Sequence, residues 1–152
     1  MGLLPIRPFD KQTDKPLVEA FFAQMGGESR GFFNRGRGNE YSALAYFSPE
    51  GRPNTAYFLA EDNGRMAGYV FLWDLDKSVP WLGIAVAEDW KGRHLGRELM
   101  ARAESHARAL GKGGILLTTH LANLRGQGLY EGCGYEYLGM HVSEEKLYMK
   151  RF

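Results

Sequence analysis

Two patterns of hydrophobic residues alternate along this chain, and together they predict an α/β fold. Short apolar runs of strand length occur at 3–9, 56–61, 66–73, 79–87, 115–119, 135–140 and 145–152. Longer stretches with helical spacing lie between them, and the clearest is an apolar stripe at Leu95, Leu99, Ala103, Ala107 and Leu110. The sequence therefore predicts a sheet of about six to seven strands with helices packed against it.

Turn and capping residues predict how these runs connect. Asn63 and Gly64 lie between two strand-like runs, which is the strongest short signal for a β-hairpin. Asp14 is expected to cap a helix that has Pro16 in its first turn. The strand before the long apolar helix and the strand after it form a crossover unit, so we expect them to be parallel neighbours.

The segment 28–52 is the least regular part of the chain. Aromatic residues are interspersed with glycines there, and they include Phe32, Phe33, Tyr46 and Phe47. We expect one or two short helices and a long loop. These aromatic side chains either line a substrate site or belong to the core, and the sequence leaves both interpretations open.

A buried strand, a basic glycine-bearing loop and an amphipathic helix follow one another in the middle of the chain. The first N–H groups of a helix have no partner within it, and the helix dipole places partial positive charge there. Gly92 and Gly96 allow a ligand to approach the backbone, while Lys91, Arg93 and Arg97 add full charges. This arrangement predicts a site for a pyrophosphate.

Length and composition indicate which classes of protein this chain does not resemble. The chain has 152 residues, so we expect one domain spanning 1–152, and the net charge of +1 gives no sign of a nucleic-acid or anionic-membrane partner. No apolar run has the length of a transmembrane helix. The single cysteine, Cys133, excludes an internal disulfide, which is typical of a cytoplasmic protein. No metal site is expected.

The basic loop can be compared with known phosphate-binding patterns. The dinucleotide fingerprint and the P-loop pattern are both absent. The loop resembles the acetyl-CoA pyrophosphate loop of the GNAT superfamily of N-acetyltransferases, which reads Gln or Arg, two residues, Gly, one residue, then Gly or Ala. Gly96 matches this frame, whereas Lys91 replaces the usual Gln or Arg and His94 replaces the usual first Gly.

A second stretch resembles another motif of the same superfamily, at the separation of one helix and one strand that the family has. Five residues match it, namely Asn123, Leu129, Tyr130, Gly134 and Tyr135. Gly126 replaces the Ala that is usual in the motif. Two motifs in the right order are a stronger signal than either alone.

The resemblance implies a fold and a reaction. The fold is a central mixed, mostly antiparallel sheet with helices on both faces and a splayed parallel pair at 79–87 and 114–120. The reaction is transfer of an acetyl group from acetyl-CoA, as cosubstrate, to a primary amine by direct attack on the thioester. The acceptor is a small-molecule amine or a peptide or protein amine, and the residues do not distinguish these classes.

The resemblance also implies roles for particular residues. The backbone of Ile84, Ala85 and Val86 would pair with the pantetheine arm. The pyrophosphate would lie on the N–H groups of the loop and helix start, whose residues are Lys91, Gly92, Arg93, His94, Leu95, Gly96 and Arg97. Asn123 would contact the pantetheine arm or orient a water, and Tyr130 would protonate the departing sulfur.

The sequence leaves the general base, the exact function and the oligomeric state open. The general base is Asp74, Asp76, Glu40, His120 or a water, because none of these residues is at a diagnostic position. A non-catalytic acyl-CoA-binding or scaffold domain of the same fold is the alternative function, since two loop positions depart from the family pattern. The edge of the last hairpin is able to pair with a second copy, so a homodimer is one expected assembly.

Overall fold

The computed structural model describes residues 4–25, 40–49, 53–92 and 94–152. The strands are β1 (Ile6–Pro8), β2 (Ala56–Asp62), β3 (Arg65–Trp73), β4 (Trp81–Val86), β5 (Gly114–Thr119), β6 (Glu136–Met140) and β7 (Lys146–Arg151). The helices are α1 (Lys15–Ala23), α2 (Glu40–Leu44), α3 (Leu95–Ala109) and α4 (Leu124–Gly132). Short 3₁₀ turns span Ala45–Phe47 and Glu88–Trp90.

The strands of the described residues form one seven-stranded sheet in the order β1-β2-β3-β4-β5-β7-β6. Every neighbouring pair is antiparallel except β4 and β5, which are parallel. The predicted mixed, mostly antiparallel sheet and its parallel pair are therefore confirmed. The last hairpin joins the sheet through its second strand, because β7 lies between β5 and β6.

The parallel strands β4 and β5 separate soon after they meet. In the described part of the chain, Trp81 and Leu116 are the one pair of residues that the two strands share in register. A backbone hydrogen bond of 2.9 Å from the Leu116 N–H to the Pro80 carbonyl lies at the same end. The carboxyl-terminal half of β4 therefore borders a gap in the sheet, as the splayed pair predicted.

Helices cover both faces of the sheet, as expected. One core cluster contains Phe21 and Phe22 of α1 with the β3 side chains Tyr69 and Phe71. The other cluster contains the apolar stripe of α3, Tyr130 of α4 and β3 residues of the opposite parity, such as Val70. Because side chains alternate along a strand, β3 supplies both cores at once.

The aromatic residues that the structure describes in 40–49 belong to the core. Tyr46 and Phe47 are half-buried, and their rings lie 5.5 Å and 5.8 Å from the ring of Phe9. The Tyr46 hydroxyl donates a hydrogen bond of 3.1 Å to the Phe9 carbonyl. The core interpretation holds for these two residues, whereas Phe32 and Phe33 lie outside the described residues.

Asp14 links the first strand to the first helix in an unexpected way. Its side chain makes no helix-capping hydrogen bond. The carboxylate instead accepts two hydrogen bonds from the Arg7 guanidinium, at 2.7 Å and 2.9 Å, and one from the Asp10 N–H. Asp14 is only 1% exposed, and the Arg7 guanidinium lowers the pKa of its carboxyl. Asp14 thus occupies the predicted N-cap position, but its carboxylate forms a partly buried ion pair that links β1 to α1.

The Asp14→Asn variant is expected to unfold about 1–3 kcal/mol more easily at neutral pH, because charged hydrogen bonds to Arg7 are lost. A carboxyl with a lowered pKa stabilises the fold above its unfolded pKa, and that contribution disappears as the pH falls through the folded pKa. The difference between wild type and variant should therefore shrink in acid. Denaturant unfolding across pH measures it, with Glu19→Gln on the exposed side of α1 as the control. A pH-independent difference would contradict the prediction.

Strand β6 forms one outer edge of the sheet. Three of its large apolar side chains are about half exposed, namely Tyr137, Leu138 and Met140. The exposed edge that the sequence predicted is present, and its pairing with a second copy stays a prediction. No helix in the described residues is long and apolar enough to cross a membrane.

Candidate functional site

A cleft of about 320 Å³ opens where β4 ends and the amino-terminal ends of α3 and α4 approach each other. Its walls are formed by Ile84, Ala85, Val86, Trp90, Lys91, Gly92, His94, Leu95, Gly96, Arg97, Asn123, Arg125, Gly126, Gly128, Leu129 and Tyr130. All the residues that the two sequence motifs singled out as binding or catalytic, and that the structure describes, therefore share one cavity. Arg93 lies outside the described residues.

One wall of the cleft is the edge of β4 that faces the gap. Ile84 and Ala85 are buried and Val86 is half-buried, so apolar side chains lie on both sides of the exposed backbone edge. The strand is paired on its other side with β3 throughout its length. A strand edge of this kind is able to pair with an extended chain that enters the gap.

The first turn of α3 follows the loop and forms a second wall of the cleft. The first hydrogen bond of the helix runs from the Glu98 N–H to the His94 carbonyl, at 3.3 Å. The N–H groups of Leu95, Gly96 and Arg97 precede it and have no acceptor within the helix. Together with the helix dipole, these donors form a site for an anion at the cleft.

His94 has the backbone conformation that explains the family pattern. Its φ is +65°, in the left-handed region, and it is the residue just before α3. A residue without a β-carbon adopts this conformation at the lowest cost, which accounts for the Gly usual at this point of the motif. Histidine tolerates the left-handed region better than most residues, so the loop keeps the shape.

The His94→Gly variant is therefore expected to be more stable than wild type, by about 0.5–1 kcal/mol, because the steric cost of the left-handed conformation is removed. His94→Ala removes the same imidazole but keeps the β-carbon, and it should give no gain. Thermal unfolding of the two variants measures the difference. Equal stability of the glycine and alanine variants would contradict the prediction.

Gly96 lets α3 and α4 approach each other. A β-carbon at this position would lie 3.0 Å from one methyl group of Leu129 and 3.4 Å from the other. Leu129 is a motif residue, and it lines the same cleft. The two motifs are thus in direct van der Waals contact, and a small residue is needed between them.

The basic side chains at the cleft are not equivalent. The Lys91 ammonium makes an ion pair of 3.1 Å with Glu88, so part of its charge is directed at the preceding turn. Arg125 of α4 reaches across to the loop, because its guanidinium would lie 3.7 Å from a β-carbon at Gly92. Arg97 is exposed near the end of α4. Cations from two helices therefore border the loop.

Asn123 caps the helix that carries the second motif. Its Oδ1 accepts a hydrogen bond of 3.1 Å from the Gly126 N–H, and its Nδ2 donates one of 3.2 Å to the Thr119 hydroxyl. A β-carbon at residue 126 would lie 2.5 Å from the Nδ2 atom. Gly126 therefore suits this cap, and Asn123 holds α4 against β5 while it lines the cleft.

Tyr130 brings a hydroxyl group to the inner end of the cleft. The residue is only 5% exposed, and no hydrogen bond among the described residues uses its hydroxyl. Burial raises the pKa of Tyr130, and the nearby carboxylate of Glu145 raises it further. The phenol is therefore protonated at neutral pH and is available as a proton donor.

The candidate general bases of the sequence lie elsewhere. Asp74 and Asp76 follow β3 beside the start of β4, at the opposite end of the strand from the cleft. His120 directly follows β5, and its Nδ1 accepts a hydrogen bond of 3.0 Å from the Ala122 N–H. The side chain of Glu40 lies outside the described residues. None of these residues lines the cleft among the described residues.

Cys133 follows the second motif but shows no sign of nucleophilic activation. Its thiol is half-buried, and burial raises the pKa of the thiol. A smaller thiolate fraction means weaker nucleophilicity at neutral pH. In the part of the chain that is described, no three His, Cys, Asp or Glu side chains lie together as metal ligands would.

Some lining residues were not identified from the sequence. Arg125 lies two positions after Asn123, so its place in the motif was a usable signal. Trp90 precedes the loop, and its indole N–H donates a hydrogen bond of 3.0 Å to Asp62. That bond joins the loop to the β2–β3 hairpin, and no local pattern indicates a contact between segments so far apart in the chain.

Comparisons with known proteins agree with this geometry. A family model described as the acetyltransferase (GNAT) family matches residues 19–135 of the chain. No curated protein matches the chain at the level of sequence.

Solved structures match over nearly the whole chain. The GNAT domain of PAT from S. lividans has a TM-score of 0.86 at 14% identity, covering 99% of this chain and 92% of that one. The PaiA N-acetyltransferase of Thermoplasma acidophilum, solved with coenzyme A, has a TM-score of 0.76 at 15% identity and covers 100% of both chains. A domain from Methanocaldococcus jannaschii has a TM-score of 0.77 at 20% identity and 98% coverage of both chains. At these identities the likeness shows the fold.

Proposed function

Because the chain belongs to the GNAT acetyltransferase family, we propose that it transfers an acetyl group from acetyl-CoA to a primary amine. The observation that carries this proposal is the convergence of both motifs on one cleft at the divergence of β4 and β5. The acceptor is a small-molecule amine or a peptide or protein amine. We propose one domain over 1–152 and a cytoplasmic location as the setting of this activity.

The cleft has the chemistry that acetyl-CoA requires. The unsatisfied N–H groups at the start of α3 are donors suited to a pyrophosphate, and Arg125 and Arg97 add positive charge beside them. The edge of Ile84, Ala85 and Val86 is suited to the amide groups of the pantetheine arm. The similar structure from Thermoplasma acidophilum was solved with coenzyme A, which supports the same ligand here.

When bound, acetyl-CoA would supply an acetyl group activated as a thioester. The backbone of β4 at the gap would place N–H donors near the carbonyl oxygen, where negative charge develops as the amine attacks. Tyr130 would donate its proton to the departing sulfur, because its hydroxyl is protonated and lines the cleft. Asn123 would hold α4, and with it Tyr130, in position.

Calorimetric titration of the purified protein with acetyl-CoA, followed by an assay of thiol release, tests the proposal. The panel of acceptors contains aliphatic amines, amines that carry an aromatic ring, and peptides with a free N-terminus. Saturable binding together with amine-dependent release of CoA is the expected result. Binding without release in any arm would favour the alternative of an acyl-CoA-binding or scaffold domain, and absence of binding would contradict both.

A further inference from the structure

A second cavity lies on the α1 face of the sheet, between α1, the β2–β3 hairpin and the segment that follows β4. Its volume is about 270 Å³, which is near the lower end of the range for small-molecule sites. Within the described chain, none of the residues that line it belongs to either sequence motif. The proposed acetyl-CoA site therefore does not account for this cavity.

The interior of the second cavity is apolar. Leu17 and Phe21 lie four residues apart on α1, so one face of the helix lines the cavity, and Met25 follows shortly after the helix end. Met66 of β3 lines it as well. These four side chains belong to, or pack against, the core cluster on the α1 face. Apolar side chains cannot hydrogen-bond a ligand, so these walls suit a hydrocarbon chain.

The two cavities are lined by opposite charges. In the described part of the chain, the ionised side chains of the second cavity are three carboxylates and one guanidinium, namely Asp62, Glu88, Asp89 and Arg65. The ionised side chains that the structure describes in the cofactor cleft are all cations, namely Lys91, Arg97 and Arg125. The cleft thus suits an anionic cofactor, whereas the second cavity suits a cation.

Ion pairs within the second cavity leave part of its negative charge uncompensated. Glu88 is paired with Lys91 at 3.1 Å. Arg65 lies 3.4 Å from the Asp89 carboxylate and 3.9 Å from the Asp62 carboxylate, so one guanidinium serves two carboxylates. Asp89 is 61% exposed, which places it at the mouth of the cavity. A ligand ammonium at the mouth is therefore able to bind a carboxylate without displacing Arg65.

The second cavity and the cleft adjoin at the carboxyl end of β4. Val86, the last residue of β4, and Trp90 line both of them. The hydrogen bond of 3.0 Å from the Trp90 indole to Asp62 fixes the shared side chain. Val86 also belongs to the strand edge where the pantetheine arm is proposed to lie. A molecule in the second cavity is therefore a neighbour of the proposed cofactor.

We propose that the second cavity holds the acceptor, and that the acceptor is a short aliphatic diamine. This proposal rests on the proposed function and names its substrate class. The apolar walls take the hydrocarbon chain, the carboxylates at the mouth hold one ammonium, and the other nitrogen faces the shared wall at Val86 and Trp90.

The carboxylates favour a second cation over the reacting nitrogen. The nitrogen that attacks the thioester must be neutral, and a carboxylate beside it would stabilise its protonated, unreactive form. An ammonium at the far end of the acceptor binds the same carboxylates without this cost. A monoamine or a lysine side chain has no such second ammonium, so both are expected to be poorer acceptors.

The reaction converts the diamine to its monoacetyl form. The neutral nitrogen forms a C–N bond to the acetyl carbon, the C–S bond breaks, and the nitrogen loses its proton to solvent. The sulfur takes the proton of the Tyr130 hydroxyl, which regains one from solvent, so a diamine and a thioester give an amide and a thiol. The product has lost one ammonium, so its second acetylation should be slower by about 10-fold or more.

Thiol-release kinetics with cadaverine and pentylamine, which share one hydrocarbon chain and differ by one ammonium, tests the substrate class. We expect kcat/KM of wild type to be higher for cadaverine by about 10-fold or more. The double variant Asp62→Asn, Asp89→Asn should lose most of this preference, while its amide still accepts the Trp90 hydrogen bond. The control Glu19→Gln, Glu136→Gln removes two exposed carboxylates outside both cavities and should keep the preference.

A matched pair on α1 tests the location. Ala20 lines the second cavity, whereas Ala23 is exposed on the same helix and does not line it. Ala20→Leu fills part of the cavity and should raise KM for cadaverine by about 10-fold, with an unchanged calorimetric Kd for acetyl-CoA. Ala23→Leu adds the same volume elsewhere and should leave both quantities near those of wild type.

The outcomes separate this proposal from the proposed function. Equal kcat/KM of wild type for cadaverine and pentylamine, a wild-type KM in Ala20→Leu, or two acetylations of cadaverine at equal rates would overturn the diamine proposal and leave the proposed function standing. Wild type that binds acetyl-CoA but releases no thiol with any amine would instead contradict the proposed function.

Discussion

The Tyr130→Phe variant is expected to lose about 10²-fold or more in kcat while it binds acetyl-CoA as tightly as wild type. The hydroxyl lines the cleft, has no hydrogen bond among the described residues and stays protonated because burial raises its pKa. Removing a positioned proton donor slows departure of the thiolate, and it changes little in the ground state. Thiol-release kinetics and calorimetry on the same preparation measure the two quantities separately.

Tyr135→Phe is the matched control for this prediction. Tyr135 is also buried, and its hydroxyl has no hydrogen-bond partner among the described residues, but it does not line the cleft. Its loss should leave kcat near that of wild type, although the chemical change is identical. Turnover by Tyr130→Phe within a few-fold of wild type would remove Tyr130 as the proton donor.

The Gly96→Glu variant is expected to weaken binding of acetyl-CoA by about 10²-fold or more. The new side chain would place a negative charge among the unsatisfied N–H groups of α3, where the pyrophosphate is proposed to lie. Its β-carbon would also press on Leu129, with a separation of 3.0 Å in the present geometry. Both effects act on the ligand site, so calorimetric titration with acetyl-CoA measures them directly.

Two further variants separate the effect of the added negative charge on acetyl-CoA affinity from the effect of the added side-chain volume. Gly96→Ala introduces the same β-carbon, but the flexible end of Leu129 is able to give by a few tenths of an ångström, so affinity should fall only a few-fold. Arg102→Glu lies on the exposed side of the same helix and changes the net charge more than Gly96→Glu does, yet it should bind normally. Normal binding by Gly96→Glu would place the pyrophosphate elsewhere.

Much of the fold was predictable because its elements carry strong local patterns. The hairpin of β2 and β3 turns at Asn63 and Gly64, both with positive φ, as the Asn-Gly pair predicted. Four residues of the predicted apolar stripe, Leu95, Leu99, Ala103 and Ala107, are buried as the helical period required, whereas Leu110 follows the end of α3 and is about half exposed. The insertion of β7 between β5 and β6 was not predictable in the same way, because strand order depends on pairing between distant segments.

The site was predictable where its residues are contiguous. The loop before α3 and the start of α4 were located by two short motifs, and the structure brings them to one cleft. Asp14 occupies the N-cap position with Pro16 in the first turn, as predicted, but its side chain makes no capping hydrogen bond, because the carboxylate binds the Arg7 guanidinium.

The divergence of β4 and β5 also has a mechanical meaning. It divides the sheet into a block of four strands, β1 to β4, and a block of three, β5, β7 and β6. In the described chain the two blocks share one paired position, Trp81 with Leu116. Helix α3 packs against strands of both blocks. Each block is held together by its own hydrogen-bonded ladders, whereas the joint between the blocks has a single paired position in the described chain. A chain that entered the gap and paired with β4 would bridge the two blocks and stiffen the whole sheet against shear.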